Sequence, residues 1–539
     1  MKIKCEICYD VSGDCVLGPH SYVQVIMARS LLGNWKQPVY YNFDQKMTKE
    51  ILFSVVKKFD EFGFKVIAIT NDMGGGNRGL WRDLGISALN PNFRVDDMGE
   101  EIFVFPDAPH LLKLIRNHFL DKGLMYKGVL VNQNPIREMI QQTSQNELRI
   151  AYKVSEEHLT VKAAVRQKVK YAAQLFSRSV YAALIHLGSA GKLRSPNWRE
   201  TAEFIKLVND WFDLLNSSVP YRDSRERVHA YCASPVQNQI LTEMKSVAIN
   251  LLRRKTKLPF QNGIIMFSNA LPLLYQSVRK THNVQYILTS RLSQDVLEHF
   301  FSVVRSIGGL HDHPHALEFK YRFRRLLISS NTESMSRERN VLPDKGCSSN
   351  FITSYANSPE VIVSQETLAD FAEPENTEHP EQDHEDNADP SYVEDNVLCL
   401  QEIQECGLEY IAGYVAFKRR GTEVLGYPTS QHAGVNSRWI QLLSEGGLYC
   451  PTDDFLALVY VMERIFEKHN PTDGISKSAN ILQTLISEST SSPCSEQTRK
   501  LFFRTRIYIR IKYLNSKIKA SQTQVQGKKN KKKMVKIIT

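Results

Sequence analysis

Cysteine is scarce in this chain, nine among 539 residues. That is too thin for the disulfide framework that staples small secreted domains, so the thiols are expected to be reduced. Long apolar runs are also missing. No stretch reaches the roughly 18 residues a membrane span needs, and mean hydropathy is −0.32. The opening MKIKCEICYD is polar where a secretory signal would be apolar, so the expectation is an intracellular chain. Nucleotide signatures are lacking too. Gly74, Gly75 and Gly76 are not followed by Lys-Ser/Thr and are not spaced as GxGxxG, and there is no Asn-Lys-x-Asp, which excludes a P-loop and ordinary GTPase rules. No internal repeat is present.

The length is that of three or four domains as a prior, and 42% apolar content is enough to fill large cores. The net charge of +10 comes from 68 basic and 58 acidic residues. Residues 359–396 hold thirteen acidic residues and no Lys or Arg, so the whole-chain figure understates the basicity of the remainder by thirteen charges. Such an excess points to a polyanion, most simply nucleic acid bound through its phosphates; a solvated basic surface is the alternative. The lysine run KKNKKKMVK from residue 528 reads as phosphate contact or nuclear import.

The first 120 residues alternate strand-like runs (37–43, 65–70 and 102–105) with an amphipathic stretch at 48–62, an α/β pattern. The opening alternates polar and apolar side chains and can return as a hairpin around Ser12-Gly13-Asp14 into Cys15-Val16-Leu17. From 107 to 285 apolar residues recur at helical spacing, with one continuous helical pattern over 161–187. Further helical patterns lie at 290–305 and 313–330, the latter basic. Residues 333–396 are polar, acidic and rich in Pro, Ser and Asn, the composition of a disordered linker. Apolar periodicity returns over 397–515.

Two constellations carry chemistry. The strand KVIAIT ends in Asn71-Asp72 before three glycines, placing a carboxylate at a strand's carboxyl edge, where α/β folds hold ligands. A helix-capping role for Asp72 is the competing reading. In TSRLSQDVLEHFFSVVRSIGG an apolar stripe of Leu292, Val296, Phe300 and Val303 leaves Asp295 and Glu298 together on an adjoining face. A divalent cation would neutralise the two, as would a lysine or open water. Cys5 and Cys8, three apart on a strand and without a second pair at finger spacing, do not read as zinc ligands, and HDHPH at 311–315 reads as a loop.

Taken in order, YVQVIMARSLLGNWKQPVYYNF, AITNDMGGGNRGLWRDLGIS, FVFPDAPHLLKLIRNH, KVKYAAQLFS, LVNDWFDLLNS and QYILTSRLSQDVLEHFFSVVRSIGGLHDHP resemble the P element family of DNA transposases and its THAP-domain relatives. The resemblance is nearly continuous from Met1 to about residue 335 and weaker over 397–515. It implies an RNase H-like core interrupted by an all-α GTP-binding insertion, with a disordered acidic linker and a mostly helical C-terminal region after it. The implied boundaries are a core over 1–106 and 250–335, an insertion over 107–249, a linker over 336–396, a C-terminal region over 397–520 and a basic tail over 521–539. The implied activity is DNA cleavage and strand transfer, with carboxylates holding Mg²⁺ and GTP serving as a structural cofactor.

The resemblance carries over by residue. Asp72 matches the family's second catalytic and metal-binding acid and Glu298 its third. Lys153, Lys168 and Val169 match contacts to GTP. Phe212, Asp213 and Asn216 match the guanine end, where a carboxylate can accept from guanine's N1 and N2 donors. Asp295 matches an acid near the nucleotide and its magnesium. The family's first catalytic Asp lies directly before the Met-Lys that resembles Met1-Lys2, and its zinc-coordinating module lies further upstream. The expectation is therefore a truncated or domesticated transposase, impaired as written; a reading frame begun at an internal Met would look the same. The implied partners are DNA and a second copy of the chain, in the nucleus. A domesticated, non-catalytic DNA- or protein-binding protein is the alternative.

Overall fold

The computed structural model describes residues 1–10, 15–95, 99–143, 147–148, 150–161, 163–220, 229–251, 257–308, 313–328, 392–429, 439–444, 448–471, 474–476, 480–490, 493–515 and 517. It divides into two compact units, Met1–Arg137 with Glu156–Tyr355, and Glu138–Ser155 with Ala356–Thr539.

The first unit begins with the antiparallel pair β1 (Cys8–Asp10) and β2 (Cys15–Leu17), with Asp10 opposite Cys15. The hairpin starts at Cys8, later than the sequence pattern suggests, because Met1 and Ile3 instead exchange backbone bonds with Ser21 and Val23. The turn residues Ser12, Gly13 and Asp14 lie outside the described residues. A second antiparallel pair joins β3 (Val23–Arg29) to β4 (Lys36–Phe43), with a bulge at Ile26/Met27. Then follow α1 (Lys49–Glu61), β5 (Ala68–Asn71), α2 (Gly75–Asp83), β6 (Asn92–Arg94) and β7 (Glu101–Pro106). β5 and β7 run parallel, Asn71 beside Pro106, and β6 pairs antiparallel on the far side of β7. The central strand is the most apolar: Ile102, Phe103, Val104 and Phe105 are all buried, as a strand covered on both faces must be.

The long apolar pattern after it is α3 (Ala108–Lys122), which Asp107 caps, with Pro109 in its first turn. Next comes a hairpin, β8 (Leu124–Tyr126) and β9 (Val129–Val131), whose two-residue turn has positive φ at both Lys127 (48°) and Gly128 (82°). The insertion is therefore helical with a β-hairpin, not all-α. α4 (Asn134–Thr143) follows. The single helix suggested by 161–187 is broken into a 3₁₀ turn at Ala163–Gln167, α5 (Val169–Leu175) and α6 (Arg178–Ser189). Ser177 makes the break, since its hydroxyl accepts the amide of Val180 and starts a new helix. α7 (Trp198–Leu215) packs against α6 so closely that a methyl group at Gly188 would lie 2.3 Å from the Trp198 ring. Phe119, Phe176 and Phe204 bind α3, α5 and α7 into one aromatic core, ring centres 5.5–6.1 Å apart.

α8 (Pro235–Asn250) and α9 (Pro259–His282) lead back to the sheet, where Phe267 of α9 meets Phe105 of β7 edge-on at 5.0 Å. The unit closes with α10 (Asp295–Ser306) and α11 (Ala316–Ile328). Their apolar faces (Phe300, Val303, Val304, Phe319, Phe323, Leu326) share a core with Val23 and Val25 of β3. This is why the apolar stripe read from the sequence is buried while Glu298 is exposed.

The second unit contains α12 (Tyr392–Arg419), β10 (Gly426–Pro428), α13 (Trp439–Leu443), β11 (Tyr449–Pro451), α14 (Asp453–His469), α15 (Ile481–Glu488) and a last helix, α16, over residues 496–515. α12 starts at Tyr392, so the last residues of the expected linker are helical; 336–391 lie outside the described residues, as do 521–539. Leu148 packs into this unit's core with Leu408, Ile411, Phe455, Phe466 and Phe502. The segment 138–155, expected within the insertion, thus packs with the C-terminal helices.

Candidate functional site

The parallel register of β5 and β7 sets two carboxylates side by side at the strands' carboxyl ends, Asp72 just after Asn71 and Asp107 just after Pro106. Asp72 is half-buried. Its Oδ1 accepts the amide of Gly74 (2.8 Å) and the carboxamide of Asn77 (2.7 Å). It thus prepares the start of α2, as the capping alternative proposed, yet Oδ2 makes no hydrogen bond among the described residues. A Cβ at Gly74 would stand 2.8 Å from Asp72 Oδ1, so any larger residue there would displace that carboxylate from its present position.

Asp107 is 2% exposed and fully engaged. Its Oδ2 accepts the amide of His110 (3.0 Å) at the head of α3, and its Oδ1 accepts the amide of Gln294 (2.9 Å), the residue that caps α10. Its own amide donates to the carbonyl of Asn71 (3.0 Å). Burial pushes the Asp107 carboxyl up to about 7; nearby Asp295 and Glu298 add to the rise, and the two amide bonds oppose it. His110 is held low, by burial first and then by the Lys113 charge, while Asp72 pulls it back up.

Asp295 and Glu298 occupy the first turn of α10. The Glu298 amide donates to the carbonyl of Gln294 (3.0 Å), so one hydrogen bond separates Glu298 from the residue that Asp107 holds. Asp72 is likewise one residue from Asn71, which Asp107 also holds. Hydrogen bonds thus link the stretches that carry Asp72 and Glu298 to a third acid that the sequence pattern does not single out. The signal was present in FVFPDAPH, a buried strand ending in Asp immediately before a proline-started helix. Among the described residues no group of three or more His, Cys, Asp or Glu side chains is arranged to hold a metal ion. Asp72 keeps one oxygen without a hydrogen bond among the described residues, and Glu298 is a second carboxylate, exposed to solvent. Such a pair fits Mg²⁺, which commonly takes one or two carboxylates and fills its octahedron with water and substrate phosphate.

The residues matched to the nucleotide fall in three places. Phe212 and Asp213 lie half-buried on the last turn of α7, and Asn216 is its C-cap. Asp213 accepts from the carboxamide of Asn209 (2.9 Å). This end of α7 is tied to the approach to α10: the buried Thr289 hydroxyl donates to the carbonyl of Leu214 (2.5 Å) and accepts the amide of Ser217 (3.1 Å). Phe212, Asp213 and Asn216 are thereby joined to the segment that leads to Asp295. Lys168 caps α5 and Val169 is its first residue. The preceding turn is fixed by Arg116, fully buried in α3, which donates to the carbonyl of Arg166 (2.5 Å). Lys153 belongs to the second unit, exposed, its ammonium 5.9 Å from the centre of the Tyr152 ring.

The basic helix α11 is less free than its sequence suggests. Lys320 pairs with the buried Asp10, and Arg322, itself buried, donates to the carbonyl of Val304 and lies 3.5 Å from Glu318. Arg324 and Arg325 remain exposed. Among the described residues Cys8 Sγ lies 3.1 Å from His315 Nδ1, a hydrogen bond rather than a zinc site.

A mixed α/β unit with acids at a parallel strand edge and on a late helix, interrupted by a helical insertion, is the organisation of an RNase H-like transposase. Family models agree: "TNP-like, RNase H N-terminal domain" matches residues 1–85, "TNP-like, GTP-binding insertion domain" 109–227, "TNP-like, RNase H C-terminal domain" 290–324 and "87kDa Transposase" 328–431. The chain is 34% identical over 534 residues to the Transposable element P transposase of Drosophila melanogaster, covering 96% of this chain and 67% of that protein. It is 26% identical over 322 residues to the human DNA transposase THAP9, covering 56% of this chain and 35% of that one. Among solved structures, the Drosophila P element transposase strand transfer complex matches with a TM-score of 0.59 and 40% identity, over 62% of this chain and 76% of that one. The chain belongs to the P element transposase family. It spans about two thirds of the fly relative and about a third of the human one.

Proposed function

We propose that this chain acts on DNA as a P element-type transposase, cutting and joining strands at the site marked by Asp72 and Glu298, in the nucleus, with GTP held by the insertion. The observation that supports the reading is that Asp107 hydrogen-bonds both Asn71, the residue before Asp72, and Gln294, whose carbonyl accepts the Glu298 amide. Asp72 and Glu298 would hold Mg²⁺, which when bound supplies activation of the attacking oxygen and stabilisation of the leaving one. Asn77 and the Gly74 amide hold Asp72 through Oδ1 and leave Oδ2 without a hydrogen bond among the described residues. Asp213, carried by the end of α7 that Thr289 ties to the core, would accept from guanine, and Lys168 and Val169, within the same unit, would meet the phosphates. Arg324 and Arg325 offer charge to DNA, with affinity that falls as salt rises. We further propose that the core follows the boundaries expected above, that the insertion does so apart from residues 138–155, and that the protein works as an oligomer of itself.

The test is Mg²⁺-dependent nicking and joining of transposon-end duplexes by the full chain. Asp72→Ala and Glu298→Ala should each reduce the rate by about a hundredfold or more, as removal of one charge-stabilising group does in comparable sites. Nicking that neither substitution changes overturns the assignment. DNA binding without cleavage in the wild type would favour the alternative, a domesticated protein that binds DNA without cutting it.

A further inference from the structure

The two acids proposed as metal ligands come from distant parts of the chain, and something must hold α10 in register with the end of β5. Apolar packing alone does not define that register. α10 is buried through Val296, Phe300, Val303 and Val304 against β3, an antiparallel pair separate from the sheet that carries Asp72. The turn Thr289–Leu292 ahead of α10 touches β5, and a buried side chain then links the cap of α10 to the Asp72 sheet by hydrogen bonds. Asp107 takes an amide from the cap of α10 with one oxygen and an amide from α3 with the other, while its backbone is bonded to the residue before Asp72.

From this we infer that Asp107 is a positioning residue: it pins the N-terminus of α10, and with it Glu298, against the carboxyl end of the strand bearing Asp72. The inference rests on the reading of Asp72 and Glu298 as a metal site. Asp107 is not itself a ligand, since both oxygens already accept backbone amides and the side chain is sealed from solvent. Its chemistry suits the task. A carboxylate can accept two amides at once in a dry setting, where such bonds are strong and their loss leaves donors stranded. A carboxamide can satisfy only one, because its NH₂ would face the other donor.

The experiment uses the full chain and Mn²⁺ as probe, read by electron paramagnetic resonance, together with hydrogen exchange at the amides of Gln294, Leu297 and Glu298. Asp107→Ala should weaken Mn²⁺ binding by about 10- to 100-fold, the usual effect of losing a group that orients a metal ligand. It should also speed exchange at those three amides while amides of the β8–β9 hairpin keep their protection. Asp107→Asn should fall between Asp107→Ala and wild type, a partial rescue that a general loss of stability would not give. If Asp107→Ala folds poorly, Gln294→Pro asks the same question from the other side. It removes the donated amide at a residue whose φ of −84° a proline accepts, after an extended Ser293, and it should weaken Mn²⁺ binding likewise. Wild-type affinity and wild-type α10 protection in Asp107→Ala would overturn the inference. If instead Asp72→Ala binds Mn²⁺ as well as wild type does, the metal site itself has been misassigned, a distinct result.

Discussion

Replacing Arg506 with Met should unfold the second unit more readily by about 3–5 kcal/mol, the range for removing one partner of a buried ion pair. The geometry sets that size. Arg506 is fully buried and meets Glu463 through two parallel bonds, Nε to Oε2 at 2.6 Å and Nη2 to Oε1 at 2.5 Å, with Nη1 3.0 Å from Glu147. Burial opposes its charge, but Glu463 and Glu147 outweigh that and hold the guanidinium above its ordinary value. Its plane lies over Phe466, 4.5 Å from the ring centre. Without it, Glu147 keeps Arg510 at 2.7 Å, but Glu463 is stranded with 5% of its side chain exposed. Methionine restores part of the contact with Phe466 and none of the charge. The assay is urea unfolding followed by hydrogen exchange in peptides from α14 and α16, with Glu463→Leu/Arg506→Met as companion. The double variant should recover most of the loss, because it removes the stranded charge along with its partner. A single variant within about 1 kcal/mol of wild type, or a double no better than the single, would refute the reasoning.

Two further predictions concern other sites. Burial opposes the charge of Glu423, but the Ser495 and Thr498 hydroxyls, the Ser495 amide and Arg419 overcome it and take the carboxyl from 4.5 down to about 2. Stability from this group is therefore present above pH 4.5 and lost as pH falls towards 2; with the carboxyl partly open to solvent it amounts to about 1–2 kcal/mol. Glu423→Gln should lower the urea midpoint at pH 7, and the gap to wild type should narrow steadily below pH 4.5 as pH falls towards about 2; a gap that does not change with pH would count against it. Asp213→Ala should weaken GTP binding at least tenfold in calorimetry while leaving the weaker ATP binding as it was, since only guanine offers the N1 and N2 donors; equal affinity of the wild type for both nucleotides would dismiss the guanine assignment.

Period and caps made much of the first unit legible. The spacing of Leu111, Leu112, Ile115 and Phe119 anticipates α3, and the run ending in Asn71-Asp72 anticipates both β5 and its carboxylate. What was not legible depends on short elements or distant pairings. The hairpin around Lys127-Gly128 has only three residues per strand, too few for alternation to separate it from a helical run. The break at Ser177 hides within a continuous apolar pattern, because a cap is a single hydroxyl. Asp107 reads as an ordinary helix cap, and only its second oxygen, bonded 187 residues away, gives it a wider role. Likewise nothing local marks Glu147, whose partner Arg506 lies 359 residues further on.

The height at which Asp72 leaves β5 is dictated by its neighbour, strand for strand, since Ala68 to Asn71 are ruled against Phe103 to Pro106. β7, the central strand, is in turn held against α9 through Phe105 and Phe267. Repacking that aromatic contact would slide the acid along its rail without touching it. Variation deep in the hydrophobic interior can therefore shift the strand edge that carries Asp72 in members of this family that keep every polar residue unchanged.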